Sequence, residues 1–324
     1  MSATADEIGA AAEVLRRGGL VAFPTETVYG LGADAANVDA LRRLYAVKGR
    51  PADHPVIVHL ADARALDDWA AEVPDAARAL AAAFWPGPLT VILRRAARVP
   101  DEVTGGRDTV GLRVPDQPVA RALLRAFGGG VAAPSANRFG RVSPTTADDV
   151  RADLGADVDV VLDGGPCRVG VESTIVDCTT DPPVIVRVGG VPREAVERVL
   201  GGPVAVADRG SVAAPGTLPA HYAPRARVHV VDGVEAGERA ASLLAAGRSV
   251  GLLALAVPPG LPPAVEILDA PADVDESARV LYARLRAADT RGLDDLLVVP
   301  PPADGLGAAV VDRVRRAAAA EPRP

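Results

Sequence analysis

Lys48 is the only lysine among the 324 residues of this chain, and the other 34 of its 35 basic residues are arginines. A lysine ammonium is a compact point charge, whereas an arginine guanidinium is a wide planar fork. A chain that uses arginine almost everywhere is expected to keep a lysine where the fork does not fit, as among crowded phosphate oxygens. The sequence Lys48-Gly49-Arg50 therefore predicts a phosphate-binding pair of charges, and the alternative is a lysine left on the surface.

Two arginines and a histidine lie inside apolar segments that are predicted to be strands. Arg113 falls in the segment 109–114, and Arg187 falls in 184–188. A buried guanidinium is costly without a partner, so each arginine is expected to face an anionic ligand or a carboxylate. A single histidine such as His59 is more often a hydrogen-bonded core residue than a ligand, and both interpretations stay open here.

Small polar side chains follow other predicted strands. Residues 24–30 read Pro-Thr-Glu-Thr-Val-Tyr-Gly, Ser135 and Asn137 follow the apolar segment 131–133, and Ser173 opens another strand. Their hydroxyl and amide groups could bind the edge of a small polar ligand. The alternative is that they cap the backbone of their own loops.

Two common nucleotide-binding patterns are missing from the chain. Gly30 and Gly32 imitate a dinucleotide fingerprint, but a six-residue polar loop separates them from the strand that ends at Phe23. The fingerprint requires a tight turn at that point, and a P-loop requires a Gly-Lys-Ser/Thr sequence that does not occur. We therefore expect neither motif to be used.

The elements that must position these groups alternate between strand-like and helix-like segments. Residues 38–47 have an amphipathic helical pattern that ends directly before Lys48. Pro215, Pro219 and Pro224 preclude a regular helix near the middle of the chain. After this stretch a shorter alternation begins, which is typical of a small doubly wound α/β domain. The pattern predicts a first domain over 1–202, a linker over 203–226 and a second domain over 227–324.

Composition limits the classes of function. The net charge is −7 and the pI is about 5.2, so there is no overall basic surface of the kind that binds nucleic acid. Two cysteines are too few for a disulfide framework or a zinc cluster. Neither a signal peptide nor a membrane span is predicted. We expect a cytoplasmic protein that makes no contact with a membrane.

Six short motifs occur in order along the first part of the chain. They are Pro-Thr-Glu-Thr-Val-Tyr-Gly-Leu-Gly, Lys-Gly-Arg-Pro, Pro-Gly-Pro-Leu-Thr, Thr-Val-Gly-Leu-Arg-Val-Pro, Ala-Pro-Ser-Ala-Asn and Glu-Ser-Thr-Ile-Val-Asp. This series resembles the threonylcarbamoyl-AMP synthases of the YrdC-like family over residues 7–201. The sequence His221-Tyr222-Ala223-Pro224 and the domain after it resemble the long form of that family. The fold class implied is α/β, with an N-terminal YrdC-like twisted mixed sheet flanked by helices and a smaller Rossmann-like C-terminal domain.

The resemblance implies an activity and its partners. Members of the family condense L-threonine, bicarbonate or CO₂, and ATP into threonylcarbamoyl-AMP and pyrophosphate. The product passes to a tRNA threonylcarbamoyl-transferase complex, which modifies the adenosine beside the anticodon. Mg²⁺ is expected to accompany ATP as the cofactor. The acidic composition gives no indication of direct contact with tRNA.

The resemblance also implies roles for individual residues. The L-threonine site is implied at Thr27, His59, Arg113, Ala133 and Ser173. The ATP site is implied at Lys48, Arg50, His54, Thr109, Ser135, Asn137, Ser143, Arg187 and Tyr222. Lys48 and Arg50 are also the implied catalytic charges, Tyr222 is implied to fold back over the active site, and no protein ligand to a metal is implied.

The chain departs from the family pattern at two places. His54 stands where the family commonly has asparagine, although histidine can still donate a hydrogen bond to phosphate. The linker reads Ala214-Pro215-Gly216 and then Leu218-Pro219, where the family usually has Ser-Pro-Gly and a later Lys-Tyr. These changes put the linker's nucleotide contacts in doubt.

Two other classes of function are alternatives to the synthase. A non-catalytic RNA-binding or ribosome-associated factor would need a basic concave face, and its binding would depend steeply on salt. A carbamoyl-transfer or nucleotide-hydrolysing relative would not need the L-threonine pocket. The acidic pI argues against the first class, and the presence of both Arg113 and Ser173 argues against the second.

Overall fold

A computed structural model describes residues 3–207 and 220–320 of the chain. These residues form two compact units. The first unit contains residues 3–139 and 143–207, and the second contains residues 140–142 and 220–320. The predicted linker sequence Ala214-Pro215-Gly216 and the pair Leu218-Pro219 lie outside the described residues.

The described part of the first unit is built on one mixed ten-stranded sheet. Its strands are β1 Val21–Phe23, β2 Gly30–Asp34, β3 Ile57–His59, β4 Leu89–Arg94, β5 Thr109–Arg113, β6 Val131–Ala132, β7 Val160–Val161, β8 Thr174–Asp177, β9 Val184–Arg187 and β10 Ala205–Val206. Their order across the sheet is β10-β9-β8-β4-β5-β3-β6-β2-β1-β7. Neighbours β3–β5 and β4–β8 are parallel, whereas β4–β5 and β8–β9 are antiparallel.

The described helices of the first unit pack around this sheet. They are α1 Ala5–Arg16, α2 Val38–Lys48, α3 Leu66–Trp69, α4 Asp75–Phe84, α5 Asp101–Thr104, α6 Pro118–Phe127, α7 Ala147–Leu154 and α8 Arg193–Leu200. Short 3₁₀ turns occur at Ala63–Ala65 and Gly155–Asp157. The mixed sheet with flanking helices confirms the predicted fold class of this unit.

Local chemistry fixes the ends of the helices that matter for the site. The Asn37 side chain accepts hydrogen bonds from two backbone amides in the first turn of α2. Gly49 ends that helix in the left-handed conformation, at φ 63°, which glycine adopts without strain. Lys48 is therefore the last residue of a well-capped helix. The helix α7 begins at a reciprocal capping box formed by Thr146 and Asp149.

Two local features differ from the pattern that the sequence predicts. The strand β2 was not predicted, because its glycines hide the alternation of side chains. A Cβ on Gly32 would lie 2.8 Å from the Phe23 ring, so a glycine is needed for this close packing. The strand β10 lies inside the segment predicted as a linker and pairs in parallel with β9.

The described strands of the second unit form a smaller, fully parallel sheet. These strands are β11 Arg227–Val230, β12 Val250–Leu253, β13 Glu266–Asp269 and β14 Asp295–Val298, in the order β11-β14-β12-β13. The helices are α9 Ala236–Ala245, α10 Val274–Thr290 and α11 Gly307–Ala318. Strand and helix alternate with parallel crossovers, which confirms the predicted Rossmann-like architecture. No helix among the described residues is long and apolar enough to cross a membrane.

Candidate functional site

One face of the first unit's sheet carries a row of polar side chains. The strand register pairs His59 with Arg113, Thr90 with Ile175, and Ile175 with Arg187. In the antiparallel register of β4 and β5, Val91 pairs with Leu112, so the next pair along places Thr90 opposite Arg113. Residues in one row across a sheet point to the same face, and neighbouring strands lie about 4.8 Å apart. Arg113 and Arg187 are three strands apart, so their backbones are separated by about 14 Å.

The opposite face of the same strands is the main hydrophobic core. Val110 and Leu112 of β5 are buried in that core. Side chains alternate between the faces of a strand, so Thr109, Gly111 and Arg113 share the face of the polar row. Thr109 is four residues from Arg113, which places the two backbones about 13 Å apart along β5. The structure thus brings Thr109 to the same face but not to the Arg113 cluster.

Arg113 is buried and bonded to the protein's own carboxylate. Its Nη2 donates to Glu26 Oε1 at 2.7 Å and to Thr27 Oγ1 at 2.9 Å, and its Nε donates to the Gly87 carbonyl at 3.3 Å. Arg113 is 4% exposed and Glu26 is 1% exposed. The prediction that this strand arginine faces a carboxylate is confirmed, and Glu26 supplies it.

Arg187 holds Ser173 from the neighbouring strand. Its Nε and Nη2 donate to the Ser173 carbonyl at 3.0 and 2.8 Å, and Nη2 also donates to Ser173 Oγ at 3.0 Å. The Ser173 hydroxyl shares a further 2.8 Å hydrogen bond with Thr90. Two guanidinium nitrogens reach the same carbonyl oxygen here, which the single side-chain nitrogen of a lysine could not do. Ser173 and Arg187 were predicted to bind different ligands, but the structure places them in one hydrogen-bonded cluster.

Lys48 anchors the loop that carries Ser135 and Asn137. Its Nζ donates to the carbonyls of Ser135 and Asn137, both at 2.5 Å, and the Phe139 amide donates back to the Lys48 carbonyl at 2.8 Å. Lys48 is buried, and burial together with nearby Arg50 lowers the pKa of its ammonium well below the ordinary value. The alternative of a leftover surface lysine is therefore wrong.

Arg50 and His54 both lie close to the ring of Phe139. The Arg50 guanidinium lies 5.9 Å from the Phe139 ring centroid, and the His54 ring meets the same ring edge-on at 5.6 Å. Arg50 Nη2 also donates to the Pro55 carbonyl at 2.8 Å. Partial burial and the charge of Arg50 lower the pKa of His54. Phe139 thus joins the Arg50–His54 loop to the loop that Lys48 anchors.

His59 is buried beside Arg113 in the polar row. Its ring packs edge-on against Phe23 at 5.9 Å, and its Nδ1 makes no hydrogen bond within the part of the chain that the structure describes. Burial, followed by the Arg113 charge, lowers the pKa of His59 to about 3. His59 is therefore neutral at physiological pH. The Ala133 amide, by contrast, is already bonded to the Ile57 carbonyl at 2.9 Å.

A second buried carboxylate lies beside Ser143. Ser143 Oγ donates to Glu172 Oε1 at 2.7 Å, and both residues are buried. Asn137 Nδ2 donates to the Arg138 carbonyl at 2.8 Å. Among the described residues, no three His, Cys, Asp or Glu side chains gather in the way that a protein-held metal ion requires.

Tyr222 belongs to the second unit. It adopts a left-handed backbone at φ 62°, stacks on Tyr282 at 5.6 Å and lies 5.3 Å from the Arg313 guanidinium. Its neighbour His221 donates its backbone amide to the Arg316 carbonyl at 3.3 Å. The His-Tyr pair thus has a packing role in its own unit, which the sequence did not predict.

Sequence reasoning missed three side chains that hold the site together. Glu26, Thr90 and Glu172 bond directly to Arg113, Ser173 and Ser143 respectively. The signal for Glu26 was present, because a buried strand arginine calls for a carboxylate. The sequence did not indicate which of its many acidic residues would be the partner.

Comparison with known proteins gives the context for this site. The family model described as "Telomere recombination", which covers the Sua5, YciO and YrdC proteins, matches residues 13–189. The model described as the C-terminal domain of threonylcarbamoyl-AMP synthase matches residues 191–319. The chain belongs to the threonylcarbamoyl-AMP synthase family. The resemblance predicted from the six motifs is thereby confirmed, and with it the prediction that the protein is an enzyme.

Family members resemble the chain over nearly its whole length. The threonylcarbamoyl-AMP synthase of Pyrococcus abyssi is 42% identical over 96% of this chain and 94% of its own, and that of Bacillus subtilis is 40% identical over 98% and 94%. The crystal structure of P. abyssi Sua5 complexed with L-threonine superposes with a TM-score of 0.92 at 40% identity, covering 97% of this chain and 95% of the other. The long two-domain form of the family is therefore the form found here.

Proposed function

We propose that this protein condenses L-threonine, bicarbonate or CO₂, and ATP into threonylcarbamoyl-AMP and pyrophosphate. The observation that carries the proposal is the row of His59, Arg113, Thr90 and Arg187 on one face of the sheet. Two arginine clusters about 14 Å apart on that face suit a small amino acid at one end and a nucleotide at the other. The relative crystallised with L-threonine supports the choice of amino acid.

The reaction asks for positioning more than for covalent catalysis. The deprotonated amine of L-threonine adds to CO₂ to give a carbamate, with loss of the amine proton. A carbamate oxygen then attacks the α-phosphate of ATP, and the bond to pyrophosphate breaks. Charge neutralisation and alignment of the two substrates dominate reactions of this type at phosphorus. The arginine of each cluster is fixed on a strand, which suits this task.

The amino-acid subsite is proposed around Arg113. The guanidinium would receive the substrate carboxylate, and Thr27, Ser173 and the Ala133 backbone would surround the rest of the molecule. His59 is neutral in this environment, so it would contact the substrate by hydrogen bonding or packing and not as a charge. Neutral His59 leaves Arg113 as the cation that faces the carboxylate in this part of the row.

The nucleotide subsite is proposed along the loops that Lys48, Arg50 and Arg187 hold. Arg50 and His54 would contact phosphate, and Ser135, Asn137, Ser143 and Thr109 would contact the remainder of ATP. The two short bonds from Lys48 to loop carbonyls support a role in fixing this loop beneath the phosphates. We therefore propose that its catalytic effect works through the position of the loop as well as through its charge.

Magnesium is proposed to enter with ATP as the metal–nucleotide complex. The two buried carboxylates of the site, Glu26 and Glu172, already accept hydrogen bonds from Arg113 and Ser143. A Mg²⁺ ion is commonly held by substrate phosphates and water with few protein ligands, so phosphate oxygens would supply its main contacts here. When bound, it would offset the negative charge that builds up on the leaving pyrophosphate.

The product is proposed to serve tRNA modification in the cytoplasm. Threonylcarbamoyl-AMP would pass to a transferase complex that modifies the adenosine beside the anticodon. The linker that contains Tyr222 is proposed to close over the site during the reaction. Closure would exclude water and protect a carbamate and a mixed anhydride, which both hydrolyse readily.

A single assay tests the proposal. Purified protein is incubated with ATP and Mg²⁺, and pyrophosphate and threonylcarbamoyl-AMP are quantified with and without L-threonine and bicarbonate. Formation of both products only when all three substrates are present is the expected result. Pyrophosphate release that is independent of L-threonine would show that the protein is a nucleotide-hydrolysing relative instead.

A further inference from the structure

Glu26 is a buried carboxylate whose two oxygens are both committed. Oε1 accepts from Arg113 Nη2 at 2.7 Å, and Oε2 accepts from the Asp116 backbone amide at 2.9 Å. The Glu26 carbonyl also accepts from the Val169 amide at 2.8 Å, so the backbone is fixed as well. A buried ion pair seldom adds stability beyond what apolar residues would provide. The role of the Glu26–Arg113 pair therefore lies in the orientation that Glu26 imposes on Arg113.

The hydroxyl groups beside Glu26 form a short hydrogen-bond network. Thr25 Oγ1 donates to the Val28 carbonyl at 2.6 Å and accepts from the Thr27 and Val28 amides, both at 3.2 Å. It also shares a 2.8 Å hydrogen bond with Thr27 Oγ1, in which either hydroxyl can donate. Thr27 Oγ1 accepts from Arg113 Nη2 at 2.9 Å. Glu26 Oε1 and Thr27 Oγ1 therefore accept from the same guanidinium nitrogen.

We infer that Glu26 is a positioning residue that orients Arg113 towards the carboxylate of the amino-acid substrate. Glu26 Oε1 and Thr27 Oγ1 accept from Nη2 and the Gly87 carbonyl accepts from Nε, so these acceptors fix the plane of the guanidinium. A substrate carboxylate accepts hydrogen bonds, so it is complementary to the donors that Arg113 presents in that plane. Glu26 thus promotes the binding of a free amino acid through Arg113, without touching the reacting atoms. This inference rests on the proposed function, which assigns Arg113 to the substrate carboxylate.

The substitution Glu26→Gln disturbs this arrangement while it keeps the shape of the side chain. The Arg113 and Asp116 donors reach different oxygens of Glu26, so only one of them can meet the single oxygen of an amide. The other donor would then face an NH₂ group. Either outcome releases Arg113 or the 116 backbone from its position. Binding at the amino-acid subsite should weaken, whereas the loop that Lys48 anchors should keep its conformation.

The test is calorimetric titration of the full-length protein with L-threonine and, separately, with ATP and Mg²⁺. For Glu26→Gln we expect the Kd for L-threonine to rise at least tenfold and the Kd for ATP to change less than twofold. Glu13→Gln is the matched control, because it breaks an Arg–Glu pair with Arg16 on the surface of α1. It should change neither Kd. An unchanged Kd for L-threonine in Glu26→Gln overturns the inference.

A double variant separates positioning from a general loss of structure. If Glu26 acts through Arg113, then Glu26→Gln combined with Arg113→Lys should weaken L-threonine binding no more than Arg113→Lys alone. Fully additive losses overturn the inference, because Glu26 would then act independently of Arg113. The wild-type titration keeps the two proposals distinct. A wild-type protein that does not bind L-threonine refutes the proposed function, whereas wild-type binding with an unaffected Glu26→Gln variant refutes only the role of Glu26.

Discussion

The side-chain nitrogen of Lys48 lies 2.5 Å from the carbonyl oxygen of Asn137, 89 residues further along the chain. An equal bond to the Ser135 carbonyl makes the ammonium a bridge between the end of α2 and the loop that follows β6. The ammonium is buried, so these carbonyls replace the water that it has lost. The only lysine in the chain therefore has a structural partner as well as a proposed chemical one.

Replacing Lys48 should reduce both activity and stability. Lys48→Ala should lower turnover because it removes a proposed catalytic charge, and it also removes two hydrogen bonds to buried loop carbonyls. Unsatisfied buried carbonyls cost about 1–3 kcal/mol, so we expect a loss of that order in the free energy of unfolding. Lys48→Arg should not restore activity, because a planar fork does not fit between the two carbonyls.

The free energy of unfolding is measured by urea titration, and activity is measured as steady-state turnover. Arg42→Met is the matched control, because Arg42 lies exposed on the same helix. It should be close to wild type in both respects. Full activity in Lys48→Arg would show that a point charge is not needed at this position.

Replacing Arg113 should weaken the binding of L-threonine and not that of ATP. Arg113→Ala deletes the proposed partner of the substrate carboxylate, and losing one member of a desolvated charge pair costs about 2–5 kcal/mol of binding free energy. The affinity for ATP without L-threonine should change little. Titration calorimetry with each ligand measures the effect, and a thermal melt checks the fold, because Glu26 is left without its cation. A larger loss for ATP than for L-threonine would mean that the two subsites are exchanged.

Arg187 should couple the two ligands, because it is proposed to bind nucleotide while its fork holds Ser173. Arg187→Lys removes that fork and should weaken the binding of both ligands by about 1.5–3 kcal/mol each, the range for lost hydrogen bonds to a charged group. By linkage, saturating ATP should then alter L-threonine affinity less in the variant than in wild type.

This coupling is measured by titrating L-threonine with and without a non-hydrolysable ATP analogue. Arg193→Lys, on an exposed turn of α8, is the control and should retain the wild-type coupling. Equal coupling in wild type and Arg187→Lys would separate Ser173 from the nucleotide subsite.

His59 should stay neutral far below the usual pKa of a histidine. Burial lowers its pKa to about 3, whereas in the unfolded chain the value is near 6.5. Between these values the unfolded state binds the extra proton, so the contribution of His59 to stability is complete above about pH 6.5 and falls as the pH drops towards 3. We expect the His59 ring signal in a histidine-labelled NMR spectrum to stay at the neutral position down to pH 4.5.

The His59 signal is assigned by its absence in His59→Gln. His54 in the same unit provides an internal comparison. It is less buried than His59, and its partial burial also lowers its pKa. A His59 signal that titrates near pH 6 would show that the ring is reached by water in solution.

Tyr222 should affect stability and closure separately. Its ring packs on Tyr282 and faces Arg313, so Tyr222→Ala should destabilise the second unit by about 3–5 kcal/mol, the usual cost of deleting a buried aromatic ring. Tyr222→Phe keeps the stack and should be destabilised less than Tyr222→Ala. Limited proteolysis between residues 203 and 226 should slow when ATP and L-threonine are both present. Equal cleavage rates with and without the ligands would rule out a closing linker.

Much of this architecture follows from local sequence patterns. The apolar periodicity of residues 38–47 predicts α2, and a cap at each end of that helix fixes Lys48 in its last turn. The strand that contains Arg113 was likewise predicted from its apolar neighbours in the chain. These features depend on backbone conformations and side-chain periods that a few adjacent residues determine. The ordered motifs were sufficient, in the same way, to indicate the family.

The partners inside the site were decided only by the tertiary structure. Glu26 and Arg113 are 87 residues apart, and Thr90 and Ser173 are 83 apart. The sequence could require a carboxylate for Arg113, but sheet order and register determine which one reaches it. The strand β2 was hidden for a related reason, because its glycines are needed for close packing against Phe23. Local patterns specify which face of an element is buried, whereas only the packed sheet specifies which residues meet there.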